Sequence, residues 1–320
     1  MMTVAFMASD AIALDSISFL RSSRECRLAC IVSNPDRPKG RGKKMQPNAV
    51  SAWALENEVE LLRPERGPDS KTLARMRELG VDIIIVMAYG CILKKEVLNF
   101  SEKYPCLNLH ASLLPDLRGA SPIESAIALG YHKTGVSLMR IEPAMDSGAV
   151  CASKETAISN TETASELRRK IGALAAELLK EKIGDVESHS AVFIPQKNER
   201  ATYVRKLEKS DLFLDFHKSA GELDCRIRAF GAGIFEYSGE FIKILKARPE
   251  SCSEKFSEPG KIIEASTSRG LKIACADGVL ACSILQRPCA KALECKDFFG
   301  GYRIEKNSVL KSFENKSLLR

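Results

Sequence analysis

Residues 81–90 read VDIIIVMAYG, five large apolar side chains in unbroken succession between an aspartate and a tyrosine-glycine turn. A strand with one face in water alternates apolar with polar residues, whereas an uninterrupted run of this length fits a strand buried on both faces. Buried strands of that kind belong to parallel sheets covered by helices. Upstream, VAFMAS (4–9) and RLACIVS (27–33) are runs of the same type, with helical patterns between and after them: ALDSISFLRSS (13–23) and a stretch from Trp53 to Val59. The alternation predicts an α/β fold whose N-terminal part is a Rossmann-like parallel sheet with helices. Ligands of such sheets bind at the carboxyl ends of the strands. The AYG that follows Met87, Ala88 to Gly90, and the ASLLP that follows His110 are therefore where a site is expected.

Downstream, residues 107–123 read LNLHASLLPDLRGASPI. In a strand, residues two apart share a face, so Leu107 and Leu109 point one way while Asn108 and His110 point the other. Beyond the strand GVSLMRI (135–141), the turn-forming MDSG places Asp146. An imidazole can accept a proton or, once charged, stabilise an oxyanion, and a carboxylate beside it favours the charged form. An amide adds an uncharged donor. The three groups suit attack of an amine on an acyl carbon, where negative charge develops on oxygen. Each is ordinary alone: a histidine can end a strand for packing, and an aspartate before Ser-Gly is a common turn former.

The rest of the chain excludes several classes. The first strand turns through Met7-Ala8-Ser9-Asp10, not a glycine-rich phosphate loop, and no G-x-S-x-G marks a hydrolase serine. The 11 cysteines are odd in number and form no C-x-x-C pair, so they read as reduced, with no metal expected. Asp10 and Asp15 interrupt the N-terminal apolar stretch and spoil a targeting reading, and no apolar run reaches the ~20 residues of a membrane span. The expectation is a cytoplasmic monomer with no membrane partner. Net charge is +7, concentrated from Arg205 onward, where 21 Lys and Arg face 16 Asp and Glu. Such a balance is compatible with a polyanionic partner.

At 320 residues the chain exceeds what one core usually holds, which predicts a boundary. Ser121, Pro122 and Glu124 read as a capping box opening a helix to about Gly130, and Thr163 with Glu166 repeats the box before Leu167, Ile171, Leu174 and Leu178. Periodicity fades between Ala191 and Lys209, as in a linker. A helix from about His217 to Phe230 follows, and then short strands with an Asp277-Gly278 hairpin, which predict a small β-barrel, OB-like. The expected division is 1–190, a linker at 191–209, and 210–320.

The residues together carry a resemblance. N-x-H-x-S-L-L-P-x-x-R-G-x-x-P-I from Asn108, T-G-V from Thr134 and M-D-x-G from Met145 resemble the signature of the folate-dependent formyltransferases. That resemblance implies 10-formyltetrahydrofolate as formyl donor, with Asn108 and His110 holding the formyl oxygen. It implies that Asp146 orients and charges His110 and helps to move the amine's proton. It also implies a folate pocket built from Met87, Ala88, Tyr89, Gly90, Ser112, Leu113, Leu114, Pro115 and Glu142, recognised in part through backbone groups.

The segment PDRPKGRGKK (35–44) is similar to an insertion that contacts the acceptor stem in those members that formylate methionyl initiator tRNA. Its Arg37, Lys39, Arg41, Lys43 and Lys44, together with Lys206, are the implied tRNA-binding residues. ATYVRKL (201–207), IRAF (227–230) and DFFGGYRIEKNSVL (297–310) resemble the linker and small barrel of the same branch, a tRNA-binding domain. The alternative is a member acting on a small amine such as an amino sugar nucleotide; a non-catalytic RNA-binding descendant would lack one of Asn108, His110 and Asp146. The chain departs from the pattern in four places. Ala8-Ser9-Asp10 stands for the usual G-T-P, GAGIF (231–235) for a proline- and tryptophan-rich stretch, Phe216 for a tryptophan, and Lys291 for a basic pair.

Overall fold

The computed structural model describes residues 1–39, 42, 44–251 and 257–320. They fall into two compact units. One comprises Met1–Gly119, Thr134–Thr156 and Arg168–Thr202, and the other Ala120–Lys133, Ala157–Leu167 and Tyr203–Arg320.

The first unit is built on a sheet of seven strands: β1 (Met2–Met7), β2 (Cys26–Val32), β3 (Leu61–Leu62), β4 (Ile83–Val86), β5 (Leu107–His110), β6 (Lys133–Arg140) and β7 (Val150–Ala157). Their order is β7-β6-β5-β4-β1-β2-β3. The pairs from β3 across to β5 are parallel, and β6 runs antiparallel to β5. Every residue of β1 and β4 is buried, as the apolar runs demand. On one face Ala5, Met7 and Ile84 share a core with Leu73 and Met76 of the helix Ser70–Glu78. Strand register then places the site. Val86 stands opposite Asn108, which faces Met139 on its other side, and His110 faces Ser137. Asn108 and His110 thus lie at the carboxyl end of the sheet, next to the end of β4.

Gly135 of the T-G-V segment has a packing reason. A Cβ there would lie 2.0 Å from the Lys154 carbonyl oxygen and 2.6 Å from Leu113, so only glycine lets β7 and the SLLP segment close on β6.

Helix boundaries differ from expectation where caps decide them. The helix expected from Trp53 runs Ala49–Glu56, because Asn48 caps it by accepting from the Ser51 amide. Thr163 and Glu166 form the expected box, each side chain meeting the other's backbone amide, and the helix Ala164–Glu187 follows. Leu167, Ile171 and Leu178 are buried along it, and Leu174 is half-buried. The box at Ser121 does not form. Ser121 sits at φ −138°, ψ 54°, outside the extended region that aims an N-cap hydroxyl at the N3 amide, and Pro122 alone opens Pro122–Ala128.

In the second unit the expected helix starts later, at Ala220, since Ser219 and Glu222 make a reciprocal capping box; Gly231, left-handed at φ 75°, ends it. Strands β8 (Gly233–Tyr237), β9 (Glu240–Glu250), β10 (Ile262–Ser266), β11 (Gly270–Ala274) and β12 (Val279–Gln286) form an antiparallel sheet in the order β8-β9-β12-β11-β10. Register shifts within the β9–β12 and β10–β11 pairs curl it into a half-barrel. Asp277-Gly278 makes the hairpin between β11 and β12. Leu223 and Ile227 of the helix pack into its concave core with Ile242, Ile244, Ile273 and the wholly buried Phe216.

Candidate active site

His110 is buried, and its ring position is fixed by what it touches. Nε2 lies 3.1 Å from the Leu117 carbonyl oxygen. A carbonyl can only accept, so Nε2 carries the hydrogen and Nδ1 is the nitrogen left for proton exchange. Nδ1 faces Asp146 Oδ2 at 3.6 Å, beyond a formed hydrogen bond but within ion-pair reach. The same Asp146 oxygen accepts from the Gly119 amide at 2.9 Å. Asp146 reaches this place through a left-handed backbone, φ 48°. Two residues on, Gly148 lies so close to β6 that a Cβ would stand 2.1 Å from the Arg140 carbonyl oxygen. Asn108, half-buried on β5, completes the trio. The structure brings together the three groups that the sequence singled out.

The proposed folate residues occupy loops at the same end of the sheet. The Ser137 hydroxyl donates to the Ser112 carbonyl at 2.8 Å and accepts from the Leu114 amide at 3.1 Å, so β6 holds the SLLP segment by its backbone. Leu113, Leu114 and Pro115 are half-buried, and the Leu114–Pro115 peptide is cis. After β4, Met87 and Tyr89 are buried while Ala88 (φ 48°) and Gly90 (φ 78°) are exposed. Burial pushes the Tyr89 phenol well above its ordinary value. Its hydroxyl has no hydrogen-bond partner among the described residues. Glu142 is exposed, in the stretch between β6 and Asp146.

The altered first turn is accommodated. Ser9 Oγ accepts from the Asn34 amide at 3.0 Å, and Asp10 accepts from the Ile12 amide and pairs with Arg168. The aspartate caps the short helix Ala11–Ala13 where the usual proline would merely start one. Asn34 in turn donates to the Tyr89 carbonyl at 2.6 Å and accepts from Cys91 Sγ.

The basic segment is a short hairpin, Arg37–Lys39 paired with Lys44–Gln46. Arg37 and Lys44 are exposed, Lys39 lies on the first strand, and Arg41 and Lys43 fall outside the described residues. Asp36 is paired with Arg63 at 2.8 Å, which leaves the segment's acid engaged within the fold. Lys206 is exposed in the second unit, so the site trio and Lys206 belong to different units.

Sequence reasoning gave no role to Arg118 or Gln196. Arg118 is buried to 1% exposure, and its guanidinium donates to Gln196 Oε1 at 2.7 and 3.1 Å and to Asn198 Oδ1 at 2.9 Å. Its place in the R-G pair of the 107–123 motif was the available signal for the first. For Gln196, in a stretch read as linker, the sequence offered none.

No group of three or more His, Cys, Asp or Glu that could hold a metal ion occurs among the described residues, nor a helix long and apolar enough to cross a membrane. The described cysteines are free, and burial pushes the Cys30 and Cys106 thiols up to about 12.

A family model for formyl transferase matches residues 3–183, and one for the formyl transferase C-terminal domain matches residues 206–303. The chain belongs to the formyl transferase family. Among relatives of this formyl transferase, the methionyl-tRNA formyltransferase of Sulfurihydrogenibium sp. is 35% identical over 308 residues, spanning 95% of this chain and 98% of the relative. That of Clostridium beijerinckii is 35% identical over 314 residues, 97% of this chain and 100% of the relative. Among solved structures, an N-formyltransferase from Helicobacter canadensis, in complex with folinic acid and dTDP-3-aminofucose, superposes with a TM-score of 0.64 at 19% identity over 90% of this chain and all of the other. At that identity the likeness is one of fold.

Proposed function

We propose that this formyl transferase moves the formyl group of 10-formyltetrahydrofolate onto the α-amino group of methionyl initiator tRNA, giving formylmethionyl-tRNA for translation initiation. The observation that carries the acceptor is end-to-end identity of 35% with relatives named methionyl-tRNA formyltransferase, both units included. The donor supplies the formyl group and leaves as the folate amine once the new carbon–nitrogen bond has formed.

The chain's own residues do the rest. The Asn108 amide donates to the formyl oxygen as negative charge builds on it. His110, with Nε2 committed to Leu117, offers Nδ1 as the nitrogen that gains a proton and then donates it toward the same oxygen or Asp146. Asp146, its Oδ2 held by Gly119, orients the ring and helps to take the amine's proton through water. Ser112 to Pro115, Met87 to Gly90 and Glu142 line the donor pocket. Residues 1–190 carry the chemistry, 191–209 connect, and 210–320 form a tRNA-binding domain; Lys206 of the connecting segment and Arg37, Lys39, Arg41, Lys43 and Lys44 of the first domain also bind the tRNA. The enzyme acts in the cytoplasm as a monomer.

The test is folate-dependent formylation of methionyl initiator tRNA beside the elongator form. Rapid formylation of the initiator alone is expected. Formylation of an amino sugar nucleotide with both tRNAs ignored would overturn the acceptor assignment.

A further inference from the structure

Gln196 closes a ring of hydrogen bonds around Asp146. Its Nε2 donates to the backbone carbonyls of Asp146 at 2.8 Å and Gly148 at 2.7 Å. Its Oε1 accepts from the buried Arg118 guanidinium at 2.7 and 3.1 Å. Gly119, next in sequence to Arg118, returns to the Asp146 carboxylate through its amide at 2.9 Å. The Asp146 backbone and side chain are therefore both tied to the Arg118-Gly119 dipeptide, one through Gln196 and one directly.

The chemistry of the arrangement is directional. A carboxamide is the side chain that can accept from a guanidinium at one end and donate to carbonyls at the other while staying uncharged. Arg118 fixes which way round the amide sits, because its donors require the oxygen. The amide nitrogen is then forced toward the loop. That loop needs holding: Asp146 is a non-glycine residue in left-handed backbone, a strained conformation that persists where surroundings impose it.

We infer that Gln196 is a positioning residue for catalysis, setting where the Asp146 carboxylate stands relative to His110 Nδ1 without touching substrate. Resting on the formyl-transfer reading above, the inference concerns how the site is held, and it places a requirement for turnover in a segment with no regular secondary structure.

The test is a double-mutant cycle with folate donor and charged initiator tRNA, read as kcat and as KM for each substrate. Gln196→Ala leaves the Arg118–Asn198 bond in place and Gln196 is only half-buried, so the variant should fold, with melting checked by circular dichroism. Its kcat should fall roughly 10- to 100-fold, the scale of misplacing a reacting group by up to an ångström, with KM for the donor unchanged. Gln196→Glu strengthens the contact with Arg118 while turning both donors into acceptors against carbonyls, so it should lose at least as much. In an Asp146→Asn background, replacing Gln196 by Ala should cost less than about twofold more, because the two residues act as one unit. Wild-type kcat in either single variant overturns the inference, as does a loss that multiplies in full on Asp146→Asn. If wild-type enzyme formylates no tRNA, the acceptor assignment fails instead, and the cycle is run on the amine that is accepted.

Discussion

Gly148→Ala should abolish most turnover while sparing the fold. A Cβ built on Gly148 meets the Arg140 carbonyl oxygen at 2.1 Å, about 0.9 Å inside the 3.0 Å that real Cβ contacts essentially never breach. Arg140 is not free to yield. It ends β6 in register with Leu107, its amide donates to the Ala149 carbonyl at 2.9 Å, and its guanidinium stacks on Phe193 at 4.2 Å. The loop must give instead, and Asp146 is two residues away. A displacement near 1 Å takes the Nδ1–Oδ2 separation well away from 3.6 Å and costs roughly 100-fold in rate, about 2.7 kcal/mol of barrier. Initial rates of formylation at saturating donor and charged tRNA measure this, with thermal melting and donor KM as controls. Turnover within twofold of wild type, with the melting curve intact, would refute the reasoning that loop placement is set by this contact.

Other expectations are as direct. Asn108→Ala and Asp146→Ala should each lower kcat by ~100-fold with donor affinity kept, the scale of losing one donor to an oxyanion; single-turnover rates check it. Replacing Arg37 and Lys44 together with Ala should raise KM for charged tRNA and flatten its dependence on salt, measured from 50 to 200 mM; an unchanged slope returns the hairpin to a solvated surface. For Asp211, burial works against the charge, but hydrogen bonds from Arg205 and the Glu208 amide outweigh it and hold the carboxyl below its ordinary 3.8. Its contribution is therefore complete above about pH 3.8 and is lost as pH falls through the folded value. Asp211→Asn should destabilise by about 3 kcal/mol at pH 7, leaving the half-buried Arg205 without its counter-charge, and the gap to wild type should narrow in denaturant melts below that pH.

What was legible in the sequence was what periodicity and side-chain chemistry encode. The unbroken run at 83–87 announced a two-sided strand, and alternation at Asn108 and His110 put both at one strand end. The cap at Thr163 was legible, the box at Ser219 went unread and the helix was started too early for it, and the box read at Ser121 was misleading, because the backbone there is not extended. Long-range pairing was not legible. Nothing in the composition of IPQKN distinguishes an amide that bridges two segments from one in solvent, because the partner Arg118 lies 78 positions away. Nor does spacing alone reveal that Asp10 could replace a proline by capping the turn it interrupts.

The bond from His110 Nε2 to Leu117 carries one more consequence. A histidine with both nitrogens open can take a proton on one side and release it on the other, passing charge across the ring. Here one nitrogen is sealed, so the imidazole is a dead end for protons rather than a conduit. Whatever enters at Nδ1 must leave at Nδ1. On the proposed assignment, the proton that Nδ1 gains in a turnover is released from Nδ1 again, toward the acyl oxygen or Asp146.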